Sequence, residues 1–404
     1  MNWFFLFVSN FFGIINDNFL KFSIIFIGVT WTMPNFLTQS TVISLASAAL
    51  IVPYLILSPL GGRLSVKYSK QKVFRLCKLA EFPIMAIAAF AFYFHSIWLA
   101  IFAVLVMGIQ SCLYSPSKYG LIRDIGGEKG IAFGNGIFEM MAFLGILSGT
   151  VLASLIADNY SFSLTAALFL GFALFGYLST SNIRVKELEP ENITDNSINP
   201  FKFAKESYFF AKNYSTINLG VFGVSIFWLV GGLIQMNLVI HCLNTLQTTN
   251  TAAGLIMATA AVGIAVGCSL AGKFSNGEIK KNMIFAGLFG MTAFLLGIAI
   301  FNPPPLICAI MIFLTAFCCG FFEVPCLTMV QKPDTGRKIG DMLAYMNLTI
   351  FIFILIGSTL FFIITQFISD NSLIVFAVTA GICLVTLIMF LIKMNKTNVK
   401  LCVK

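Results

Sequence analysis

Charged residues are scarce in this chain, and their scarcity indicates its class. Asp, Glu, Lys and Arg make up 10% of the 404 residues, whereas soluble domains average about 25%. Hydrophobic residues make up 58%, and Phe alone contributes 44 residues. A soluble domain has enough polar side chains to cover its surface, and this chain does not. The sequence therefore predicts an all-α integral membrane protein.

Clusters of metal-ligating or catalytic residues are also missing. The chain has only two histidines, His95 and His241, and its ten cysteines include no CxxC spacing. Cysteines spread singly through apolar runs are typical of small buried hydrophobes rather than of metal sites or disulfides. The sequence shows no histidine pair at ligand spacing, no Ser/His/Asp set and no phosphate-binding glycine loop. We therefore predict no catalytic residue, no metal and no cofactor, and a transporter rather than a membrane-embedded enzyme.

Apolar runs long enough to cross a bilayer, which takes about 20 residues, occur twelve times. They cover residues 3–30, 41–62, 73–94, 97–117, 132–157, 161–180, 216–241, 252–272, 283–301, 305–330, 341–367 and 372–393.

Basic residues are confined to alternate connections between these runs. We assign 24 of the 25 Lys and Arg residues, Lys78 among them, to the connections after even-numbered spans and to the tail, and the exception is Lys21. The positive-inside rule makes these connections and both termini cytoplasmic in a multi-pass protein. The net charge of +9 is then a topology signal that suits an anionic membrane surface, and we expect no nucleic-acid partner.

The longest polar break covers residues 181–213 and divides the chain into six spans plus six. The predicted parts are a bundle over 1–180, a cytoplasmic linker over 181–213, a bundle over 214–393 and a cytoplasmic tail over 394–404. Aromatic residues and lysines interleave from Pro200 to Lys212, which fits either a short interfacial helix on the cytoplasmic leaflet or a simple linker.

Six plus six spans around a long cytoplasmic connection is the architecture of the major facilitator superfamily. We therefore predict twelve transmembrane helices in two pseudo-symmetric six-helix bundles. The connection between the second and third spans supports this fold, because Gly62 and the basic residues after it match the superfamily pattern. Val66 stands where that pattern has Asp.

The stretch Asn16-Asp17-Asn18-Phe19-Leu20-Lys21 interrupts the first span. An Asp or Lys at the centre of a membrane helix costs about 2.5–3.5 kcal/mol. At helical spacing Asn10, Gly13, Asp17 and Lys21 share one face. Asp17 and Lys21 could form an ion pair within the helix or line a cavity. We favour the cavity, because intramembrane charges usually mark a functional site.

Counting depth at about 1.5 Å per residue predicts two polar layers in the bundle. The outer layer would hold Asp17, Lys21 and Gln235. The inner layer would hold Lys118 and Glu139, with Glu81 and Glu323 at similar depth. Such layers suit a zwitterionic lipid head group, since lysine can hold phosphate and a carboxylate can hold an ammonium group.

Each inner-layer residue also has a structural interpretation. Lys118 ends its span and could be a snorkelling anchor, and Glu139 could be its partner. Glu81 lies within a turn of Lys78, and we expect the two to pair. Glu323 could be protonated or paired across the bundle. Pro116 and Pro325 end corresponding helices of the two halves, and we interpret them as kinks of the kind that gate transporters.

Two motifs indicate a particular branch of this superfamily. The fourth span ends in Tyr114-Ser115-Pro116-Ser117-Lys118-Tyr119-Gly120, and the tenth ends in Gly320-Phe321-Phe322-Glu323-Val324-Pro325. With the stretch from Asn16 to Lys21, and with Ser225 to Trp228 and Gly134 to Glu139, these segments resemble the bacterial lysophospholipid transporter family. This family is a branch of the major facilitator superfamily, and the resemblance covers nearly the whole chain.

The resemblance implies a flippase that moves lysophosphatidylethanolamine and lysophosphatidylglycerol from the outer to the inner leaflet of the bacterial inner membrane. An acyltransferase/acyl-carrier-protein synthetase in the cytoplasm would then re-acylate them. The motif match assigns head-group handling to Asp17, Asn18 and Lys118. Gln235 stands where we expect Arg, and Lys21 is the candidate substitute. We expect a monomer among membrane lipids. The alternative is a proton-coupled facilitator transporter of a small polar or amphipathic solute, with Asp17 or Glu323 as the proton site.

Overall fold

A computed structural model of the chain describes residues 1–31, 38–191, 199–369 and 371–401, and the regular elements in these ranges are all helices. They are α1 (Asn2–Phe26), α2 (Gln39–Lys67), α3 (Lys70–Tyr93), α4 (Ile97–Asp158), α5 (Phe162–Ser181), α6 (Pro200–Ala211), α7 (Ile217–Ile240), α8 (Asn250–Ser275), α9 (Lys281–Phe301), α10 (Pro305–Gln331), α11 (Ile339–Ile363) and α12 (Ser372–Leu401). Residues 192–198 of the predicted linker and 402–404 of the predicted tail lie outside the described residues.

The helices confirm the predicted all-helical membrane fold. Ten of the described helices are long and apolar enough to cross a membrane. One of these ten, α4, contains both the fourth and the fifth predicted spans as two helical segments that meet at the non-helical Gly127. The 25-residue α1 is not among the ten. Its Asn16, Asp17, Asn18 and Lys21 explain why, since they lower its mean hydropathy.

Gly127 is the point at which α4 changes direction. Its backbone has φ +57° and ψ −170°, which is not helical. This conformation is accessible to glycine and costly for a residue with a Cβ atom. The sequence predicts separate spans ending at 117 and starting at 132, so the helical segments extend further towards each other than predicted.

Side-chain caps set where several helices begin. The hydroxyls of Thr38, Ser69, Ser96 and Thr249 each accept a hydrogen bond from a backbone N–H in the first turn of α2, α3, α4 and α8. These residue types are preferred at this position because they satisfy N–H groups that have no partner within the helix.

Contacts divide the chain into two compact units. Unit 1 comprises Met1–Gly127, Leu144–Phe209 and Asp334–Leu348, and unit 2 comprises Glu128–Phe143, Phe210–Pro333 and Thr349–Lys404. Unit 1 thus includes the beginning of α11, and unit 2 includes a segment of α4. The division of the chain into bundles over 1–180 and 214–393 stays a prediction.

The core of unit 1 is built by α1, α3, α4 and α5. Phe19, Phe92 and Phe169 are buried at its centre, and their ring centroids lie 5.0 and 5.6 Å apart in the two pairs that Phe169 makes. Small residues bring α4 close to α1, because a Cβ on Gly149 would lie 2.6 Å from the Ile15 carbonyl oxygen. Close approach at glycine is a common basis of helix association in membranes.

Glycines also set the packing of unit 2, where α8 and α10 are in close contact. A Cβ on Gly320 would lie 2.9 Å from the Gly267 Cα atom, and a Cβ on Gly263 would lie 2.5 Å from the Phe313 carbonyl oxygen. The two backbones can approach this closely only because these positions lack side chains.

An ionic network in unit 1 joins the linker after α5 to the beginnings of α3 and α11. The Glu187 carboxylate accepts hydrogen bonds from the backbone N–H groups of Lys70 and Gln71 at 2.7 and 2.9 Å. Arg337 Nη1 lies 3.2 Å from Glu187 Oε2 and donates to the Ser65 carbonyl oxygen at 3.3 Å. Glu187 therefore brings a carboxylate to the connection in which Val66 replaces the superfamily Asp.

The pKa of Glu187 reflects this environment. Burial alone would raise the pKa of Glu187, but the hydrogen bonds from Gln71, Lys70 and Ser69 outweigh burial, so the pKa lies below its ordinary value. Hydrogen bonds to the ionised form stabilise it. The carboxylate is thus held in the charged state that its buried partner Arg337 requires.

Candidate functional site

Asp17 lies at the centre of a polar group inside unit 1. It is half-buried on α1, and Ser111 on α4 donates a hydrogen bond to its carboxylate at 3.2 Å. Asp17 also interacts electrostatically with Glu81, Lys78 and Lys118. Two carboxylates and two amines are therefore gathered from α1, α3 and α4. We call Asp17, Glu81, Lys78 and Lys118 the mixed-charge cluster.

Lys78 and Glu81 form the most buried part of this cluster. Both side chains are 1% exposed, and Lys78 Nζ lies 2.7 Å from Glu81 Oε2. Asn16 donates from Nδ2 to Glu81 Oε1 at 2.6 Å. The pairing that the sequence predicts for Glu81 and Lys78 is present. The assignment of Lys78 to a cytoplasmic loop is wrong, because α3 begins at Lys70 and carries Lys78 into the core of unit 1.

A glycine makes room for the Lys78 ammonium group. A Cβ on Gly13 would overlap Lys78 Nζ. The side chain also passes near Gly176 on α5, where a Cβ would lie 3.5 Å from the same nitrogen. The polar stripe on α1 therefore combines hydrogen-bonding residues with a glycine that accommodates a charge from α3.

Lys118 is half-buried on α4 and lies next to aromatic rings. Its Nζ is 5.4 Å from the Tyr114 ring centroid, and Lys78 Nζ is 5.6 Å from the same centroid. Such distances allow cation–π attraction. Lys118 also donates to Asn10 Oδ1 on α1 at 3.3 Å. Lys118 therefore belongs to the same polar group as Asp17. The depth count, in contrast, predicts the two residues in separate polar layers.

Lys21 does not pair with Asp17, although the two are one turn apart on α1. Lys21 is half-buried, its Nζ lies 5.5 Å from the Phe22 ring centroid, and it forms no ion pair with any described residue. The intrahelical ion pair that the sequence allows is therefore not formed. The Asn18 side chain donates to the Ile14 carbonyl oxygen of its own helix at 2.9 Å.

Unit 2 contains a second polar group, built on α4, α8 and α10. Glu323 is buried, and its Oε2 lies 3.6 Å from Cys268 Sγ. Glu139 is also buried and interacts electrostatically with Glu323. Near them, Gln331 Nε2 donates to Asn135 Oδ1 at 3.0 Å. We call Glu139, Glu323, Cys268, Asn135 and Gln331 the acidic cluster.

The remaining candidates are not members of either cluster. Gln235 is exposed on α7 in unit 2. Pro116 and Pro325 are buried within α4 and α10, so they do not end their helices as the sequence suggests. Helix α4 continues beyond Pro116 to the break at Gly127.

Lys78, Ser111 and Tyr114 also belong to this site, although the sequence motifs do not indicate them as site residues. Lys78 lies three residues before Glu81 inside an apolar span, and this position could have indicated it. The positive-inside rule instead led us to count Lys78 among the residues of a basic loop. Ser111 and Tyr114 precede Lys118 by about two turns and one turn, so helical spacing places all three on one face of α4.

Comparisons with known proteins extend these observations. The family model described as "Major Facilitator Superfamily" matches residues 6–358. The chain is 24% identical over 361 residues to "Lysophospholipid transporter LplT" of Pectobacterium carotovorum subsp. carotovorum (strain PC1), covering 84% of this chain and 81% of that relative. It is 25% identical over 312 residues to the transporter of the same name from Yersinia pestis (strain Pestoides F), covering 74% of this chain and 72% of that relative. The resemblance found in the sequence motifs is thereby confirmed.

Solved structures support the fold. The major facilitator transporter FucP in the outward conformation has a TM-score of 0.74 at 16% identity, covering 96% of this chain and 97% of FucP. A bacterial homologue of the iron transporter ferroportin in the outward-facing state has a TM-score of 0.73 at 12% identity, covering 98% of this chain and all of that one (100%). At these low sequence identities, the structural similarity shows the fold alone. The family match over residues 6–358 shows that the chain is a multi-pass membrane transporter rather than an enzyme and belongs to the major facilitator superfamily.

Proposed function

We propose that this chain is a lysophospholipid flippase. It would move lysophosphatidylethanolamine and lysophosphatidylglycerol from the outer to the inner leaflet of the bacterial inner membrane by alternating access. Relatives named as lysophospholipid transporters support the substrate class. The observation that carries the proposal is the mixed-charge cluster, which places ammonium and carboxylate groups inside an apolar bundle.

The chemistry of the cluster fits a lipid head group. Both proposed substrates carry a phosphate, and the half-buried Lys118 ammonium group would bind it through charge-assisted hydrogen bonds. The Asp17 carboxylate, also half-buried, would accept hydrogen bonds from the ethanolamine ammonium group. Lys78 and Glu81 already satisfy each other at 2.7 Å, so they would set the local field rather than bind substrate.

Lys21 would take part at an earlier stage of binding. It lies one turn beyond Asp17 on α1 and forms no ion pair with any described residue, and an amine in an apolar surrounding attracts an anion. It would attract the phosphate before the head group reaches Lys118. Asn18, Glu139 and Gln235 stay as predicted contacts, with Glu81, Pro116, Glu323 and Pro325 as predicted supporting residues.

The sequence supports a topology, an oligomeric state and a partner for this flippase. The basic connections indicate that both termini are cytoplasmic. We expect the chain to act as a monomer among membrane lipids and to deliver its product to an acyltransferase/acyl-carrier-protein synthetase. A single acyl chain would pass along the Phe-, Ile- and Leu-rich helix surfaces that surround the cluster.

The test is a flipping assay with the purified chain in proteoliposomes and a fluorescent lysophosphatidylethanolamine. Asp17→Asn and Lys118→Ala should each reduce the flipping rate about tenfold or more, because each removes a hydrogen bond to a charged group worth about 1.5–3 kcal/mol. The matched controls are Asp158→Asn and Lys273→Ala, which change the same residue types at exposed positions. Wild-type flipping by both cluster variants would contradict the proposal.

The second candidate function is proton-coupled transport of a small polar or amphipathic solute. The acidic cluster favours it, because two buried carboxyl groups that interact can share and exchange a proton. Running the same assay with and without a pH gradient separates the two functions. Lysolipid flipping that continues after the gradient collapses supports the uncoupled flippase, and flipping that stops with the gradient supports proton coupling.

A further inference from the structure

Helix α6 lies outside the membrane spans and yet exposes aromatic rings. Phe201 is 87% exposed, Phe209 is 53% exposed and Tyr208 is 42% exposed. Contiguous exposed apolar surface on a protein usually marks an interaction site. The helix is well defined at its start, where Asn199 Oδ1 accepts hydrogen bonds from the backbone N–H groups of Phe201 and Lys202 at 2.9 and 3.2 Å.

The exposed rings share one side of α6 with lysines. At about 100° per residue, Phe201, Lys202, Lys205, Tyr208 and Phe209 fall within an arc of about 120°. Lys202 and Lys205 are exposed, and Lys202 Nζ lies 3.7 Å from the carboxylate of the exposed Glu206. Phe203 and Ser207 are buried on the opposite side. The outer side of α6 is therefore both aromatic and basic, and we call these five residues the α6 face.

The position of α6 limits what it can meet. Only residues 212–216 separate its end at Ala211 from the start of the span α7 at Ile217, so α6 ends at most about 20 Å from the membrane segment. It also belongs to the connection that the basic-residue pattern predicts to be cytoplasmic. A surface that combines apolar rings with lysines complements the head groups and upper acyl region of an anionic leaflet.

We propose that the α6 face binds the surface of the cytoplasmic leaflet and prefers anionic phospholipid. The rings enter the boundary between head groups and acyl chains, and the lysine side chains of Lys202 and Lys205 contact lipid phosphates. This binding is separate from substrate transport and anchors the connection between α5 and α7 to the membrane.

The test uses the full chain in vesicles of phosphatidylcholine, with or without phosphatidylglycerol. An environment-sensitive fluorophore is attached at Phe201→Cys, and a second sample carries it at Glu278→Cys, an exposed position between α8 and α9. Lipids with a quencher high on the acyl chain report contact with the membrane. The unsubstituted chain gives the labelling background, since its described cysteines are buried or half-buried.

We expect quenching at position 201 to be at least about twice that at position 278. Phosphatidylglycerol should increase quenching at 201, and the pair Lys202→Gln and Lys205→Gln should abolish that increase. The control pair Lys72→Gln and Lys273→Gln removes two exposed charges elsewhere and should leave the increase intact.

Three results would overturn the proposal. Equal quenching at 201 and 278 would show that α6 does not meet the membrane. Quenching at 201 that ignores phosphatidylglycerol would show that the lysines do not select anionic lipid. A probe at 201 that is shielded from a water-soluble quencher but not reached by the lipid quencher would show that the α6 face binds protein instead.

Discussion

The two units bury polar groups of different chemistry. Unit 1 holds the mixed-charge cluster, in which Lys78 and Glu81 are in direct contact at 2.7 Å. In unit 2 the Glu323 carboxyl meets a thiol and a second acid, Cys268 and Glu139. Charges of both signs compensate each other in the first case, whereas in the second case two acids interact. Of these two clusters, the mixed-charge cluster is the one that contains amines as well as carboxylates.

Glycines serve the two clusters differently as well. Gly13 and Gly176 leave space for the amine of Lys78 in unit 1, whereas Gly267 and Gly320 allow the α8 and α10 backbones to touch in unit 2. Unit 1 uses small residues to accommodate a charge, and unit 2 uses them to pack helices. The contrast predicts that unit 1 depends on charge balance for its stability and that unit 2 depends on it less.

Replacing Lys78 by Met should have the largest effect on stability. The change leaves Glu81 buried with Asn16 as its remaining described hydrogen-bond partner. Breaking a buried ion pair on one side costs about 3–5 kcal/mol, and thermal unfolding in detergent should show a correspondingly lower midpoint. Lys72→Met is the matched control, because Lys72 is exposed on the same helix and exposed substitutions usually stay within about 0.5 kcal/mol.

A double substitution sharpens this test. Adding Glu81→Gln to Lys78→Met removes the uncompensated carboxylate, and replacing both members of a buried pair is often nearly neutral. The double variant should therefore recover much of the lost stability. Equal midpoints for Lys78→Met and Lys72→Met would show that unit 1 does not depend on its ion pair.

Much of the fold could be predicted from the sequence, because hydropathy sets span positions directly. The beginnings of α7, α9 and α12 differ from the predicted spans by no more than two residues. The fourth and fifth spans are present as two helical segments of α4, but a single non-helical residue, Gly127, separates them in place of the longer loop that the charged residues around it suggest.

The candidate site was harder to predict, because its contacts join distant parts of the chain. The stripe on α1 indicated Asp17 and Asn10 correctly as inward-facing, since helical spacing determines a face. Their partners Ser111 and Lys118 come from α4, about 100 residues later, and no local pattern specifies such a pairing. The position of Lys78 was predicted wrongly, because the positive-inside rule treats a lysine near the end of a span as a loop residue. The rule does not distinguish such a lysine from one in a buried helix.

A matched pair of glycine substitutions should show how tightly the charge is held in unit 1. Alanine at Gly13 would place its Cβ atom against Lys78 Nζ, whereas alanine at Gly176 would meet the same nitrogen at 3.5 Å, an ordinary contact distance. Overpacking costs about 1–3 kcal/mol, whereas alanine in place of glycine inside a helix gains roughly 0.5–1 kcal/mol. Gly13→Ala should lower the unfolding midpoint and Gly176→Ala should leave it unchanged or raise it. Equal shifts would mean that Lys78 moves aside without cost.

The smallest stability effect is expected in unit 2, from Glu323→Gln. Glutamine has the shape of a protonated glutamate and keeps a hydrogen-bonding group beside Cys268, so we expect a change of no more than about 1 kcal/mol. In unit 1 the same substitution at Glu81 leaves the Lys78 amine buried without its carboxylate, which should cost several times more. Thermal unfolding of the two variants side by side measures the difference between the clusters. Similar losses would show that Glu323 is ionised and balanced as Glu81 is. If Glu323→Gln keeps wild-type stability but loses a flipping response to a pH gradient, the acidic cluster is a proton site and the coupled transporter replaces the flippase that we propose.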